Sequence, residues 1–114
     1  MAERSVDLFQ GTLDMLILKA VSWGPVHGYS VAKWLQDTTN DVLRVEEGSL
    51  YPALHRMEAR DWIVAEWGVS ENNRRAKFYK LTPNGRKQLR AQSATWARFA
   101  DAVGLVLGAT TQPA

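Results

Sequence analysis

The strongest constraint on the fold lies near the end of the chain. Thr82-Pro83 is a helix start: a threonine suits the N-cap, and proline suits the first helical position, where its missing N–H costs nothing. From there Leu89, Trp96, Phe99, Ala100, Val103 and Leu107 recur on one face, which predicts a helix of some 25 residues, about 37 Å long. Lys87, Arg90, Ala94, Arg98 and Asp101 fall opposite. A chain of 114 residues builds one core. It offers this helix no second element of comparable length, so the stripe needs a second copy to cover it.

The residues upstream are shorter-ranged. Leu13, Leu16, Ile17, Ala20 and Val21 share one face of a helix over 10–23, while Met15 and Leu18 give it a second apolar side. Gly24-Pro25 ends it. A second helix is expected from Gly28 to Thr39, burying Val31, Ala32 and Leu35, and the turn residues Thr38-Thr39-Asn40-Asp41 follow. A third, over 47–60, buries Leu50, Ala53, Leu54 and Met57. Its Pro52 is expected within the first turn, where no intrahelical N–H partner is needed. Two segments rich in aromatic and β-branched residues, Trp62–Trp67 and Arg75–Leu81, flank the hairpin loop 68–74. In the second segment Arg75, Lys77 and Tyr79 alternate onto one face, and Ala76 and Phe78 onto the other.

Charge is unevenly spread. Residues 1–71 carry 6 Lys+Arg against 11 Asp+Glu, whereas 72–98 carry eight cations and no acid. That stretch is a local positive field although the net charge is only +2. Cysteine is absent, which removes disulfides, a Cys-type zinc site and a cysteine nucleophile, and suits a reducing compartment. Two histidines 28 residues apart make a metal site improbable, and His27 reads as a turn or capping residue. No Ser-His-Asp or paired-carboxylate pattern stands out, and Glu46-Glu47 read as first-turn acids. The expectation is a soluble, cytoplasmic, non-enzymatic protein without cofactor.

Three small helices, a hairpin and a long helix make a mainly α (α+β) chain of winged helix-turn-helix type. In that fold the third helix enters the major groove and the hairpin lies beside the phosphates. Residues 1–82 would form the winged domain, 83–109 a dimerisation helix and 110–114 a loose tail.

Four segments then carry a family resemblance: Leu8-Phe-Gln-Gly-Thr-Leu-Asp-Met-Leu-Ile-Leu, Gly24-Pro-Val-His-Gly-Tyr29, Val45-Glu-Glu-Gly-Ser-Leu-Tyr-Pro-Ala-Leu-His-Arg-Met57 and Lys77-Phe-Tyr-Lys-Leu-Thr-Pro-Asn-Gly85. In this order, across about residues 8–90, the chain resembles the PadR family of bacterial transcriptional regulators, and its length is similar to that of the short subfamily with one C-terminal helix. The resemblance implies a dimeric winged-helix repressor that binds double-stranded DNA at an inverted-repeat operator. It also implies release by a small aromatic or hydrophobic effector.

Ser49, Tyr51, Pro52, His55 and Arg56 match the family's recognition-helix stretch. Ser49 can donate to a phosphate or merely cap the helix. Tyr51 can hydrogen-bond or stack along a sugar, or pack against the wing. Arg56 can reach a guanine edge or a phosphate, and His55 is either a DNA contact or simply solvated. At the wing, Asn73 can adopt the turn while Arg74, Arg75 and Lys77, with Tyr79 on the same face, reach a flanking minor groove or phosphates. Tyr29 and Lys33 open the second helix, where this fold crosses the backbone, although Tyr29 also suits the core. Trp96 either packs a dimer core or, with Phe99, Met15 and Phe9 as neighbours, lines a flat cavity between two copies. Leu89, Val103 and Leu107 belong to the same seam. Two rivals remain: a winged-helix module for protein–protein contacts, and a small-molecule sensor without DNA binding. The wing cations and the polar outer face of the third helix weigh against both.

Overall fold

Apolar periodicity becomes four helices and a small sheet. The computed structural model describes residues 6–114, with side-chain surroundings from residue 11 onward. In chain order the elements are α1 (Val6–Ala20), β1 (Val26–His27), α2 (Gly28–Thr38), α3 (Glu47–Ala59), β2 (Ile63–Val69), β3 (Arg75–Leu81) and α4 (Pro83–Leu107). The mixed α+β winged-helix fold expected from the sequence is present, with its long last helix. One element escapes the sequence: β1 pairs antiparallel with β3 (Val26 opposite Tyr79, His27 opposite Phe78), giving the sheet order β1-β3-β2. Two residues are too short to show a period.

The core joins three helices to one sheet face. Ile17, Leu18 and Val21 from the α1 region, Val31 and Leu35 from α2, and Leu50, Ala53, Leu54 and Met57 from α3 are buried with Ile63 and Tyr79. The α1 helix stops at Ala20, short of the expected 23, and Gly24 follows at φ 143°, a conformation that L side chains rarely adopt.

Pro52 corrects the sequence reading. With α3 starting at Glu47, it sits in the second turn, not the first. It therefore removes the intrahelical donor to the Gly48 carbonyl. The Gly48 position is exposed, so water can satisfy that oxygen.

The joint between the winged body and α4 is built by Leu81-Thr-Pro-Asn-Gly85. The Thr82 hydroxyl donates to the Asp61 carbonyl at 2.5 Å and accepts from the Gly85 N–H at 2.9 Å. The Thr82 N–H donates to the Trp62 carbonyl at 3.1 Å. Gly85 lets the helix approach: a Cβ there would stand 1.8 Å from the Trp62 carbonyl oxygen. Beyond this joint α4 runs beside α1 as far as Phe99 and then continues past it, and the molecule measures 63 × 29 × 21 Å. Trp96 (44%), Phe99 (50%) and Leu107 (80%) are exposed along it.

Candidate nucleic-acid interface

The outer face of α3 presents Ser49, Pro52 and His55 to solvent. Ser49 is the third residue of this helix and Glu46 holds the N-cap, so the capping alternative for Ser49 falls. Tyr51 points partly inward, against α2, where a Cβ on Gly28 would stand 2.9 Å from its ring, and it packs on the core that includes Tyr79 of the wing. The approach is close enough to favour glycine at 28. Burial, and then the charge of Glu47, push the Tyr51 phenol above its usual range, so it stays protonated and can donate a hydrogen bond.

A cleft of about 370 Å³ between α2 and α3 brings Tyr29 and Lys33 beside Tyr51, with Glu46 and Glu47 at its α3 end. Tyr29 is 63% exposed and stacks on His27 at 6.4 Å, so it is not a core residue. His27 also meets the edge of Phe78 and lies 3.0 Å from the Ser30 hydroxyl. It occupies the N-cap position of α2 without a side-chain capping bond. Lys33 pairs with Asp37 along α2 at 3.1 Å.

Arg56 departs from the sequence reading. Its guanidinium turns back to Asp14 on α1, at 2.7 Å, with the two side chains 30% and 11% exposed. The exclusion of water at Asp14 outweighs Arg56 and Arg60 and pushes its carboxyl above the ordinary value. The sequence held a signal for this pair: one acid set among apolar residues between Leu13 and Met15.

The wing turns at Asn73, which takes φ 60° and donates its N–H to the Ser70 carbonyl at 2.9 Å. Arg74 and Arg75 are exposed beside it. The alternation of Arg75, Lys77 and Tyr79 is real, but that face continues inward into the core. Tyr79, expected at DNA, is 2% exposed beneath the helices and is corrected to a core residue. Its burial also raises its phenol pKa, with smaller contributions from Glu58 and Tyr51. Lys77 lies between the two regimes, with its ammonium 3.7 Å from Glu58 of α3. Trp67, placed by the sequence in a strand but not among the candidate site residues, lies on the same face opposite Lys77. The Arg75 guanidinium sits 4.5 Å above its ring.

A second concavity, about 560 Å³, runs between α1 and α4. Met15, Trp96 and Phe99 do come together there, joined by Asp14, Arg60 and Trp62. The groove forms within one chain, where the sequence reading placed it only between two copies. Leu89 packs half-buried against the chain's own core. Val103, 37% exposed, lies farther along α4, and Phe9 lies outside the described side chains.

The model of the transcriptional regulator PadR-like family matches residues 17–91. A PadR family transcriptional regulator from Eggerthella lenta superposes with TM-score 0.79 at 30% identity, covering 96% of this chain and 93% of that one. A PadR-like regulator from Bacillus cereus gives TM-score 0.78 at 28% identity, over 90% and 98% of the two chains. A transcriptional regulator of Mycobacterium tuberculosis is 39% identical over 74 residues, which is 64% of this chain and 64% of that protein's length. Among the described residues no helix is long and apolar enough to cross a membrane. Four sequence segments, the winged fold that orders them and the profile match across most of the chain agree: the protein belongs to the PadR-like family of transcriptional regulators.

Proposed function

We propose that the protein is a sequence-specific DNA-binding repressor that works as a homodimer, acts in the cytoplasm and needs neither cofactor nor catalysis. The observation that carries this reading is the pairing of two surfaces. An exposed polar face on α3, with Ser49, Pro52 and His55, stands with a cationic wing bearing Arg74 and Arg75. The first is suited to base edges and sugar, the second to phosphates. Tyr29, Lys33 and Tyr51, gathered at the α2–α3 cleft, supply further donors toward the backbone.

In this reading residues 1–82 form the DNA-binding part, 83–109 the dimerisation helix and 110–114 a tail. Exposed Trp96, Phe99, Val103 and Leu107 on α4 support a second copy, because so long an apolar stripe is unfavourable in water. A two-fold pair would set half-sites about 34 Å apart, giving an inverted-repeat operator. The α1–α4 groove, with Met15, Trp62, Trp96 and Phe99, has the size and apolar lining of a small-molecule site. A small aromatic or hydrophobic effector seated there would act next to Asp14, which holds Arg56 of α3.

The test is selection of genomic fragments on the immobilised protein, followed by a gel shift against random duplex. Enrichment of an inverted repeat supports the proposal. Binding with no preference at any salt concentration removes sequence-specific recognition.

A further inference from the structure

The wing carries an exposed aromatic surface that its cations do not explain. On the hairpin face that begins in the core, Ile63 pairs with Leu81, Ala65 with Tyr79, Trp67 with Lys77 and Val69 with Arg75. The first two pairs lie at the core edge. The last two run past it, leaving Trp67 58% and Val69 66% exposed. The opposite face differs, because there Phe78 covers Gly68 so closely that a Cβ would stand 2.9 Å from its ring. Trp67 has no such cover. Its one partner among the described aromatic and cationic contacts is the Arg75 guanidinium, stacked at 4.5 Å.

This stack changes what Arg75 can do. A guanidinium resting on an indole keeps its edge donors free while losing rotamer freedom. Arg75 is thereby held ready for an anion, and the ring beside it offers an apolar floor. The orientation is fixed by a neighbour: Lys77, directly opposite Trp67, reaches Glu58 on α3 at 3.7 Å, so this face looks to the side on which α3 lies.

Resting on the DNA-binding reading above, we infer that Trp67 and Val69 form a contact surface for the deoxyribose edge of duplex DNA flanking the segment met by α3. Arg75 is steered by Trp67 onto an adjacent phosphate. Two observations choose this occupant. The hairpin 63–81 carries four cations, Arg74, Arg75, Lys77 and Lys80, against Glu66 and Glu71, a net positive charge that complements a phosphate backbone and disfavours a basic peptide. The surface is also continuous, through Lys77 and Glu58, with the helix assigned to the major groove. Sugar C–H groups provide the apolar counterpart that a purely cationic wing would leave unused. The contact is sequence-tolerant, because every nucleotide presents the same sugar.

The experiment uses the full chain labelled with 5-fluorotryptophan. Its five tryptophans give separate fluorine resonances, and Trp67→Phe assigns the one in question. Titration with a short random-sequence duplex at low salt should move the Trp67 resonance. In parallel, Trp67→Ala should weaken duplex binding about fivefold to tenfold while leaving the salt slope unchanged, since it removes apolar contact and no charge. Arg75→Ala should lower that slope by about 0.9. If duplex binds but the Trp67 resonance stays fixed, the inference fails while the DNA reading stands. If wild type binds no duplex at low salt, both fail. A Trp67 resonance that moves with protein concentration and ignores DNA marks a protein interface and overturns the inference. The resonance is read on the wild-type fold, so a misfolded alanine variant leaves the test intact.

Discussion

Removing either partner of the Asp14–Arg56 pair should have unequal consequences. The Asp14 side chain is 11% exposed and that of Arg56 30%. Without Asp14, the guanidinium can swing to water along its own stem. Without Arg56, the carboxylate stays in a site that excludes water, with only the weaker influence of Arg60 to offset its charge. Breaking a buried pair in this second way costs about 3 kcal/mol, so Arg56→Ala should lose about that much stability at about pH 7. Asp14→Asn should lose about 1 kcal/mol or less, because a neutral amide no longer bears the desolvation cost. The pH dependence carries a sign. Burial raises the Asp14 carboxyl above its ordinary 3.8, so the folded state binds this proton more tightly than the unfolded chain does. Its stabilising contribution is complete below the unfolded value and is lost as pH rises through the folded one. In Arg56→Ala the folded value climbs further, so its deficit should shrink on acidification toward about pH 4. Urea denaturation at fixed protein concentration reads both quantities, the fixed concentration keeping any self-association constant. Equal losses for the two variants at neutral pH, or an Arg56→Ala deficit that does not change with acid, would refute the argument that desolvation governs this pair.

Gly85→Ala places a Cβ against the Trp62 carbonyl; about 3 kcal/mol of strain should outweigh the roughly 1 kcal/mol gained in helix propensity, measured as a fall in urea midpoint. Gly28→Ala meets only side-chain atoms, of Tyr51 and Leu54, so it should cost about 1 kcal/mol, and a loss equal to that of Gly85→Ala would contradict the packing described. Val103→Glu puts a charge on the α4 seam and should yield monomers by sedimentation that hold duplex weakly. A stable wild-type monomer at micromolar concentration would remove the dimer.

The order of elements was legible because period and punctuation agreed along the chain. Thr82-Pro83 marked the start of α4, Gly24-Pro25 the break between α1 and α2, and the hairpin announced itself by aromatic and β-branched residues on either side of 68–74. Most of the buried face of α3 could be named in advance. What the sequence could not separate was one face of a strand that begins in the core and ends in water. Period two places Arg75, Lys77 and Tyr79 together, yet only depth along the strand distinguishes Tyr79, at 2% exposure, from Arg75. Arg56 failed for a related reason. A charge on a helix looks solvated until a partner 42 residues away turns it inward. Leu89 belonged to the stripe by period, but it lies close enough to the start of α4 to be covered by its own chain. Trp67 was missed because an aromatic in a strand reads as core, and nothing local shows that the core has already ended.

The central claim is that this fold reads DNA with α3 and grips it with the wing. Fluorescence anisotropy of a labelled fragment recovered by genomic selection, compared with random duplex across a salt series, tests it most directly. The account predicts that wild type prefers the selected fragment about a thousandfold. It further predicts that the Arg74/Arg75/Lys77 triple alanine variant lowers the slope of log K against log salt by about 2. Of that, roughly 0.9 comes from each of the two arginines, and little comes from Lys77, whose ammonium is held near Glu58. Equal affinity for both duplexes, together with an unchanged slope in the variant, would contradict the account.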